Sequence, residues 1–238
     1  MDKNRPYVIC ICPTYNRRMF LPKLLYMFKY QTYPQDRMTL LILDDSNISN
    51  EDIIIESKLN NINYIYSKDK IKLGKKRNML NEKAIELKAE YIICFDDDDY
   101  YPEDKVSYTI RMMLSRKSIL SGCTTIYVYY TLLKKIYKFG PYNNNHCTNG
   151  TMAYHVDYII KNKRKYDDEA IKSEEKYFLN NFSDNVLQLE PLKNILCISH
   201  SNNTVDKLNK INYGEEWPLN LKKIIKDKIL LDFYKNLN

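Results

Sequence analysis

Short apolar, β-branched runs alternate with longer stretches of helical spacing through the first hundred positions, the pattern of βαβ units around a mostly parallel sheet. Residues 7–12 are expected to form the first strand. In 20–30, Leu21, Leu24, Leu25 and Phe28 recur three and four apart, which predicts a helix with one buried face. A second strand is expected over 39–43 and a third over 62–66. Met79, Leu80, Ala84 and Leu87 predict a helix over 75–88, opened by Gly74, whose missing Cβ permits loop dihedrals closed to other residues. A fourth strand over 91–95 runs directly into Asp96, Asp97, Asp98 and Asp99. Ligands of open parallel sheets sit beyond the carboxyl ends of the strands, so this acidic run is expected to share one sheet edge with Asp44 and Asp45.

Beyond residue 102 the pattern changes. Residues 124–130 and 132–139 read as paired strands followed by a polar loop at 140–145, then a short strand at 151–154, a helix at 173–181 and a strand at 195–199. From 217 onward, Leu219, Leu221, Ile224, Ile225, Ile229 and Leu230 predict an amphipathic helical tail. With no repeat and no low-complexity linker, the sequence reads as one α/β domain over 1–238, with halves at 1–102 and 103–212 and the tail at 213–238.

Composition narrows the setting more than the chemistry. The 238 residues are 44% hydrophobic, enough for a sizeable core, and 37 Lys and Arg against 30 Asp and Glu leave a net charge of +7. That balance favours acidic partners such as nucleotides, phosphorylated substrates, nucleic acid or anionic lipid, without choosing among them. The six cysteines are scattered, four of them in apolar runs, which fits neither a zinc quartet nor a disulfide framework and points to a reducing compartment. The opening residues lack the apolar stretch of a signal peptide, and no run approaches the roughly 18 apolar residues of a membrane helix. A soluble, cytoplasmic protein without a transmembrane segment is expected. The bias toward Lys, Asn, Ile and Tyr with only 5 Gly suggests an AT-rich genome such as that of a large DNA virus or a bacterium.

Successive carboxylates repel one another, and a fold retains them at a strand end where a divalent cation or many donors neutralise them. The plain alternative is a solvated loop, but the flanking Ile92, Ile93, Phe95, Tyr100 and Tyr101 favour Mg²⁺ or Mn²⁺ on hard oxygen ligands. Pro13, Thr14, Tyr15, Asn16 and Arg17 follow the first strand, where they either hold a nucleotide or form an ordinary turn. Asp44 and Asp45 either accept hydrogen bonds from a base or ribose or cap the next helix. Lys75, Lys76 and Arg77 bring cations to a helix start, which suits a diphosphate; a solvated basic face is the other reading, and the P-loop spacing is absent. Glu174 and Glu175 open a helix, as a general base or as first-turn carboxylates, and in isolation the second reading is stronger. His200, at a strand end, is either structural or a nitrogen ligand for a metal.

Taken in order, these segments resemble an inverting glycosyltransferase of family 2 with the GT-A nucleotide-diphospho-sugar transferase fold. Residues 13–17 match its opening Pro-Thr-Tyr-Asn-Arg, Asp44-Asp45-Ser46 its Asp-Asp-x-Ser, 74–78 the glycine and Arg-Asn that open its helix, and 96–99 its Asp-x-Asp, while Glu174-Glu175 is similar to its Glu-Asp pair. The match is strongest over 7–102. The resemblance implies that Thr14 and Asp45 contact the base and that Arg77 lies near base and diphosphate. It implies further that Asp96 and Asp98 form the Asp-x-Asp pair meeting ribose and metal, with Asp97 or Asp99 as alternatives in either part. His200 matches a histidine that some GT-A enzymes place on the metal. Glu175 occupies the position of the base and is one methylene longer than the family's aspartate, so Glu174 is the other candidate.

The mechanism implied is a single displacement with inversion, using a Mn²⁺ or Mg²⁺ ion and a nucleotide-sugar donor, with uridine diphosphate the commonest carrier. The Gln-x-x-Arg-Trp motif of processive synthases is absent, since the single tryptophan is Trp217 before Pro218, so one sugar per encounter is expected. Asn149, Gly150 and Trp217 are assigned to the acceptor side, the acceptor being a carbohydrate, glycolipid or glycoprotein; no nucleic acid is expected. The rivals are a sugar-phosphate nucleotidyltransferase, which would carry a glycine-rich loop after the first strand, and an inactive nucleotide-binding module, which would not need the carboxylates.

Overall fold

The computed structural model describes residues 5–201, 203 and 208–237, so the first four residues of the expected leaderless N-terminus lie outside it. Strand β1 (Val8–Thr14) is central, with β2 (Met38–Asp44) and then β3 (Ile62–Tyr66) on one side and β4 (Tyr91–Cys94) on the other, all parallel. Every residue of β1 is buried because both faces are covered. Val8, Cys10 and Cys12 pack with Leu21, Leu24 and Phe28 of α1 (Leu21–Lys29), which leads from β1 to β2. Ile9 and Ile11 pack on the opposite face with Leu80 and Ala84 of α3 (Leu73–Glu86). A short α2 (Glu51–Ser57) joins β2 to β3.

From β1 the chain winds outward to β3 and then returns to the other side of β1 as β4. That reversal opens a crevice beyond the carboxyl ends of β1 and β4, where Thr14 ends one strand and Asp96 follows the other.

After α4 (Lys105–Arg116) come β5 (Leu120–Gly122), the hairpin β6 (Ile126–Tyr130) and β7 (Lys135–Phe139), β8 (Ala153–His155), α5 (Val156–Ile160), α6 (Glu175–Phe178), β9 (Leu187–Gln188) and β10 (Cys197–Ser199). β8 inserts antiparallel between β4 and β5, completing a sheet ordered β3-β2-β1-β4-β8-β5-β9. The second sheet, β10-β6-β7-β11, includes β11 (Glu215–Trp217). The mostly parallel α/β architecture matches expectation.

Two differences have local causes. The helix expected over 173–181 shrinks to α6 because Ser173, Asn180, Asn181 and Phe182 all take positive φ, between 51° and 62°. The tail is helical in two short pieces, α7 (Leu221–Ile224) and α8 (Lys228–Asn236), and Trp217 lies in a strand before them. Asp227 begins α8 by accepting from the Leu230 amide at 2.9 Å, a side-chain cap that restarts the helix.

Gly74 lies inside the first turn of α3 rather than in a loop. Its need is room: a Cβ there would stand 1.8 Å from the carbonyl oxygen of Asp167. Gly74→Ala is expected to destabilise the protein by roughly 2 kcal/mol through backbone displacement, read as a lower urea midpoint at unchanged slope.

Candidate active site

The crevice is a cleft of about 350 Å³. Arg77, on the inner face of α3, stands at its centre with a side chain only 4% exposed. Its Nε donates to Glu174 Oε1 at 2.8 Å and an Nη to Asp96 Oδ1 at 2.9 Å. Burial works against its charge, but Asp96 and Glu174 outweigh it and hold the guanidinium protonated. Its remaining Nη is buried without a partner among the described residues, an arrangement that favours an incoming oxygen ligand.

Glu174 is held through one carboxylate oxygen. The same Oε1 accepts from Asn149 Nδ2 at 2.8 Å, and Asn149 Oδ1 accepts from the Tyr166 hydroxyl at 2.8 Å. Glu175 also lines the cleft but forms no ion pair among the described residues. Burial first, and then the neighbouring Glu174, push its carboxyl up to about 7. Such a carboxyl exchanges protons near neutral pH.

The segment carrying both glutamates is fastened to α3. Asn78 and Tyr166 exchange two bonds, side-chain Nδ2 to carbonyl at 2.9 Å and amide to Oδ1 at 2.8 Å, and the Gly74 amide donates to the Ala170 carbonyl at 2.9 Å. Lys72 pairs with Glu169 outside. The first-turn amide is therefore occupied, and the cleft draws its central positive charge from Arg77 rather than from an open helix terminus.

The four aspartates divide in their partners. Asp97 accepts from the Thr14 hydroxyl, and burial followed by adjacent Asp98 raises its carboxyl well above the usual range. Asp98 Oδ2 lies 3.1 Å from His200 Nε2 and 3.2 Å from Asn203 Nδ2. Arg17 Nε stands 3.7 Å from Asp98 and 3.9 Å from Asp97. Asp99 accepts from the Ile198 amide at 2.7 Å, and its carbonyl accepts from the Tyr234 hydroxyl at 2.8 Å, which joins the run to β10 and α8.

The structure brings Pro13, Thr14, Tyr15, Arg17, Arg77, the four aspartates, Glu174, Glu175, Asn149 and Gly150 to this one cleft. Gly150 lies close under the acidic run: a Cβ would meet Asp96 Oδ2 at 2.7 Å and displace that side chain. Others stand away from it. Asp44 is fully buried at the corner after β2, accepting from the Ser46 amide, Asn50 Nδ2 and the Tyr64 hydroxyl at 2.7–2.8 Å. Asn16 ties two loops, its amide donating to Ser46 Oγ at 2.7 Å and its Oδ1 accepting from the Asn47 amide at 3.0 Å. Asp45 is buried behind Lys76, and His200 packs its ring 4.6 Å from Phe20, with Nε2 toward Asp98. Lys75 is exposed on the outer side of α3, and Trp217 stacks its ring 5.2 Å from Tyr127 in the second sheet.

Two buried lysines, Lys76 of the cationic segment and Lys105, complete the surroundings. Lys76 lines the cleft; Leu73, Lys76, Arg77 and Leu80 recur at i, i+3, i+4 and i+7, which marks the inner face. Lys105, fully buried, donates to the Gly150 carbonyl at 2.8 Å and Asn194 Oδ1 at 2.9 Å, and lies 4.3 Å from the Tyr101 ring centre. Burial lowers it to about 8. Its signal is the helical spacing Lys105, Thr109 and Met113, all buried.

A sequence-family model described as "Glycosyl transferase family 2" matches residues 9–171, more than half of the chain. The chain belongs to glycosyl transferase family 2. Its fold is the GT-A fold of glycosyltransferases. Among solved structures, TarS 1-349 of S. aureus is similar with a TM-score of 0.63 at 17% identity, covering 81% of this chain and 60% of that one. The same protein in complex with UDP-GlcNAc gives 0.62 at 16% identity, covering 82% and 59%. The mannosyltransferase PcManGT from Pyrobaculum calidifontis, in complex with GDP-Man and Mn²⁺, gives 0.65 at 12% identity, covering 84% and 59%. These likenesses carry the fold alone, and this family 2 chain spans about three fifths of their length. No curated protein sequence matches. Among the described residues no helix is long and apolar enough to cross a membrane.

Proposed function

We propose that this family 2 enzyme transfers one sugar per encounter from a nucleoside diphosphate donor, a uridine diphosphate sugar by the resemblance, to an acceptor hydroxyl with inversion. The observation that carries the reading is the division of labour between adjacent glutamates. Glu174 is committed to Arg77 and Asn149, which leaves Glu175, poised at about 7, as the base. Glu175 takes the proton of a carbohydrate, glycolipid or glycoprotein hydroxyl. The freed oxygen attacks the anomeric carbon from the face opposite the diphosphate, whose bond to that carbon breaks. Arg77, through its unpartnered Nη, stabilises the departing phosphate oxygens.

A divalent ion, Mn²⁺ or Mg²⁺, fits the donor set without a preformed cage. Among the described residues no three His, Cys, Asp or Glu side chains converge to hold one. Nucleotide-binding Mg²⁺ sites, however, commonly use one or two carboxylates and complete their shell with phosphate and water. Asp98 and His200, 3.1 Å apart, and Asp96, 29% exposed beside Arg77, are the groups that would hold it. Such an ion supplies charge neutralisation at the leaving diphosphate.

The test is a thermal-shift series with nucleoside diphosphates, with and without Mn²⁺. At about 100 times Kd a ligand stabilises the native state by roughly 2.7 kcal/mol, a readily measured rise in melting temperature. Asp98→Ala is expected to abolish the Mn²⁺-dependent part of that rise. Absence of any nucleotide-dependent shift in the unmutated protein overturns the reading.

A further inference from the structure

The turn at the tip of the β6–β7 hairpin breaks a local rule. Such turns ordinarily use glycine, asparagine or aspartate, whereas this one runs Thr131, Leu132, Leu133 and Lys134. Lys134 takes the left-handed position, with φ 55°. Leu132 and Leu133 are 58% and 44% exposed, so neither belongs to the core and both hold apolar surface in water. The base of the tip is fixed. Thr131 donates its amide and its hydroxyl to the Ser199 carbonyl, each at 3.0 Å, one residue before His200, whose Nε2 lies 3.1 Å from Asp98. This end of the second sheet therefore adjoins the Asp98 side of the cleft.

Two further segments arrive at the same end. β11 runs antiparallel to β7 toward the tip and stops at Trp217, opposite Ile136, which delivers the exposed Leu219 and then Lys222 and Lys223 of α7. α8 finishes there too, since the Lys134 ammonium donates to the carbonyl of Lys235, itself an exposed residue. Lys135 is offset by Glu216. Lys134, Lys222, Lys223 and Lys235 form no ion pair with a carboxylate among the described residues. Single exposed leucines are ordinary on a protein surface, but adjacent ones on a protruding tip ringed by uncompensated lysines combine two attractions at one place.

We infer that this end of the protein is a docking surface for an anionic lipid bilayer, with Leu132 and Leu133 entering the interface and the lysines facing the headgroups. The leucines gain by leaving water, and each lysine near the membrane surface adds an attraction that fades within a Debye length. An acidic protein would engage the lysines and leave the leucines without a role. A convex apolar tip suits a soft hydrocarbon layer rather than a preformed pocket. Docking does not depend on the transfer reading above; within that reading, which this consequence rests on, it favours a glycolipid among the acceptors.

The experiment is flotation of the full chain with vesicles of phosphatidylcholine alone and with vesicles in which about one third of the lipid is phosphatidylserine, at low salt and at about 0.5 M salt. The unmutated protein is expected to bind the anionic vesicles at low salt at least about tenfold more tightly than the neutral ones, and less tightly at high salt. Two sets of substitutions separate the contributions. Leu132→Ser with Leu133→Ser, and independently Lys222→Gln with Lys223→Gln and Lys235→Gln, are each expected to weaken binding at least about tenfold with the melting temperature unchanged. Failure of the unmutated protein to bind anionic vesicles, or equal binding to neutral ones, overturns the inference. That comparison uses no variant and no nucleotide, so the donor reading stands or falls separately. Binding that is lost in the lysine variant but untouched in the leucine variant marks a purely electrostatic face, suited to an acidic macromolecule, and also overturns it.

Discussion

Glu175→Gln is expected to lower kcat by about 10³-fold while leaving the affinity for nucleoside diphosphate within about twofold, because general-base catalysis contributes roughly 10²–10⁴ and the amide keeps the shape of the carboxyl. In the unmutated enzyme kcat is expected to rise with pH through about 7 and then level off, since the active form of Glu175 is deprotonated. The variant's residual rate is expected to lose that limb. Stability runs the other way. The folded pKa lies above the free value of 4.5, so the folded state favours the protonated form, with its advantage complete below 4.5 and lost as pH rises through about 7. Glu175→Gln is therefore expected to be the more stable protein at pH 8, by on the order of 2 kcal/mol, and equal to the unmutated one near pH 4. Melting curves at both pH values check this, and a pH-independent difference overturns the assignment. Full transfer activity in Glu175→Gln moves the base to Glu174.

Arg77→Met is expected to be the most damaging single change in the cleft. It strips Glu174 and Asp96 of their shared cation and leaves Glu174, 5% exposed, as an uncompensated buried charge. Removing one partner of a buried ion pair costs about 3–5 kcal/mol, a large part of the stability of an ordinary domain. Equilibrium unfolding measures that loss. Glu174→Gln in the same background is expected to recover part of it by removing the orphaned charge, although the donor affinity stays low. An Arg77→Met protein that unfolds at the unmutated midpoint means the three groups are not coupled.

The parallel half of the fold was legible because its chemistry is local. Continuous apolar runs such as 8–12 and 39–43 mark strands covered on both faces, and each polar motif follows a strand end directly. Thr14, Arg77 and the aspartates could thus be assigned to one edge. At α3, adjacent lysines share one cationic segment in the sequence, and about 100° of rotation per residue turns Lys76 inward and leaves Lys75 exposed. Beyond 102 the deciding contacts are distant. Lys105 is anchored 45 and 89 residues away, and β8 finds its place between β4 and β5 through pairings that no local period encodes. The strand containing Trp217 exists because β7 offers an edge to it.

The ties from Asn78, Gly74 and Arg77 to Tyr166, Ala170 and Glu174 make α3 and the segment leading into α6, which in the proposed reaction hold the diphosphate and the base, a single mechanical piece. Its consequence is modularity. The hairpin and polar loop between 126 and 145 stand outside that piece and contain none of these anchoring residues. Substitution or exchange of that excursion between related enzymes can redraw what is admitted as acceptor while the spacing between leaving group and base is inherited unchanged. Diversification of acceptors in such a scaffold then requires no rebuilding of the reaction centre.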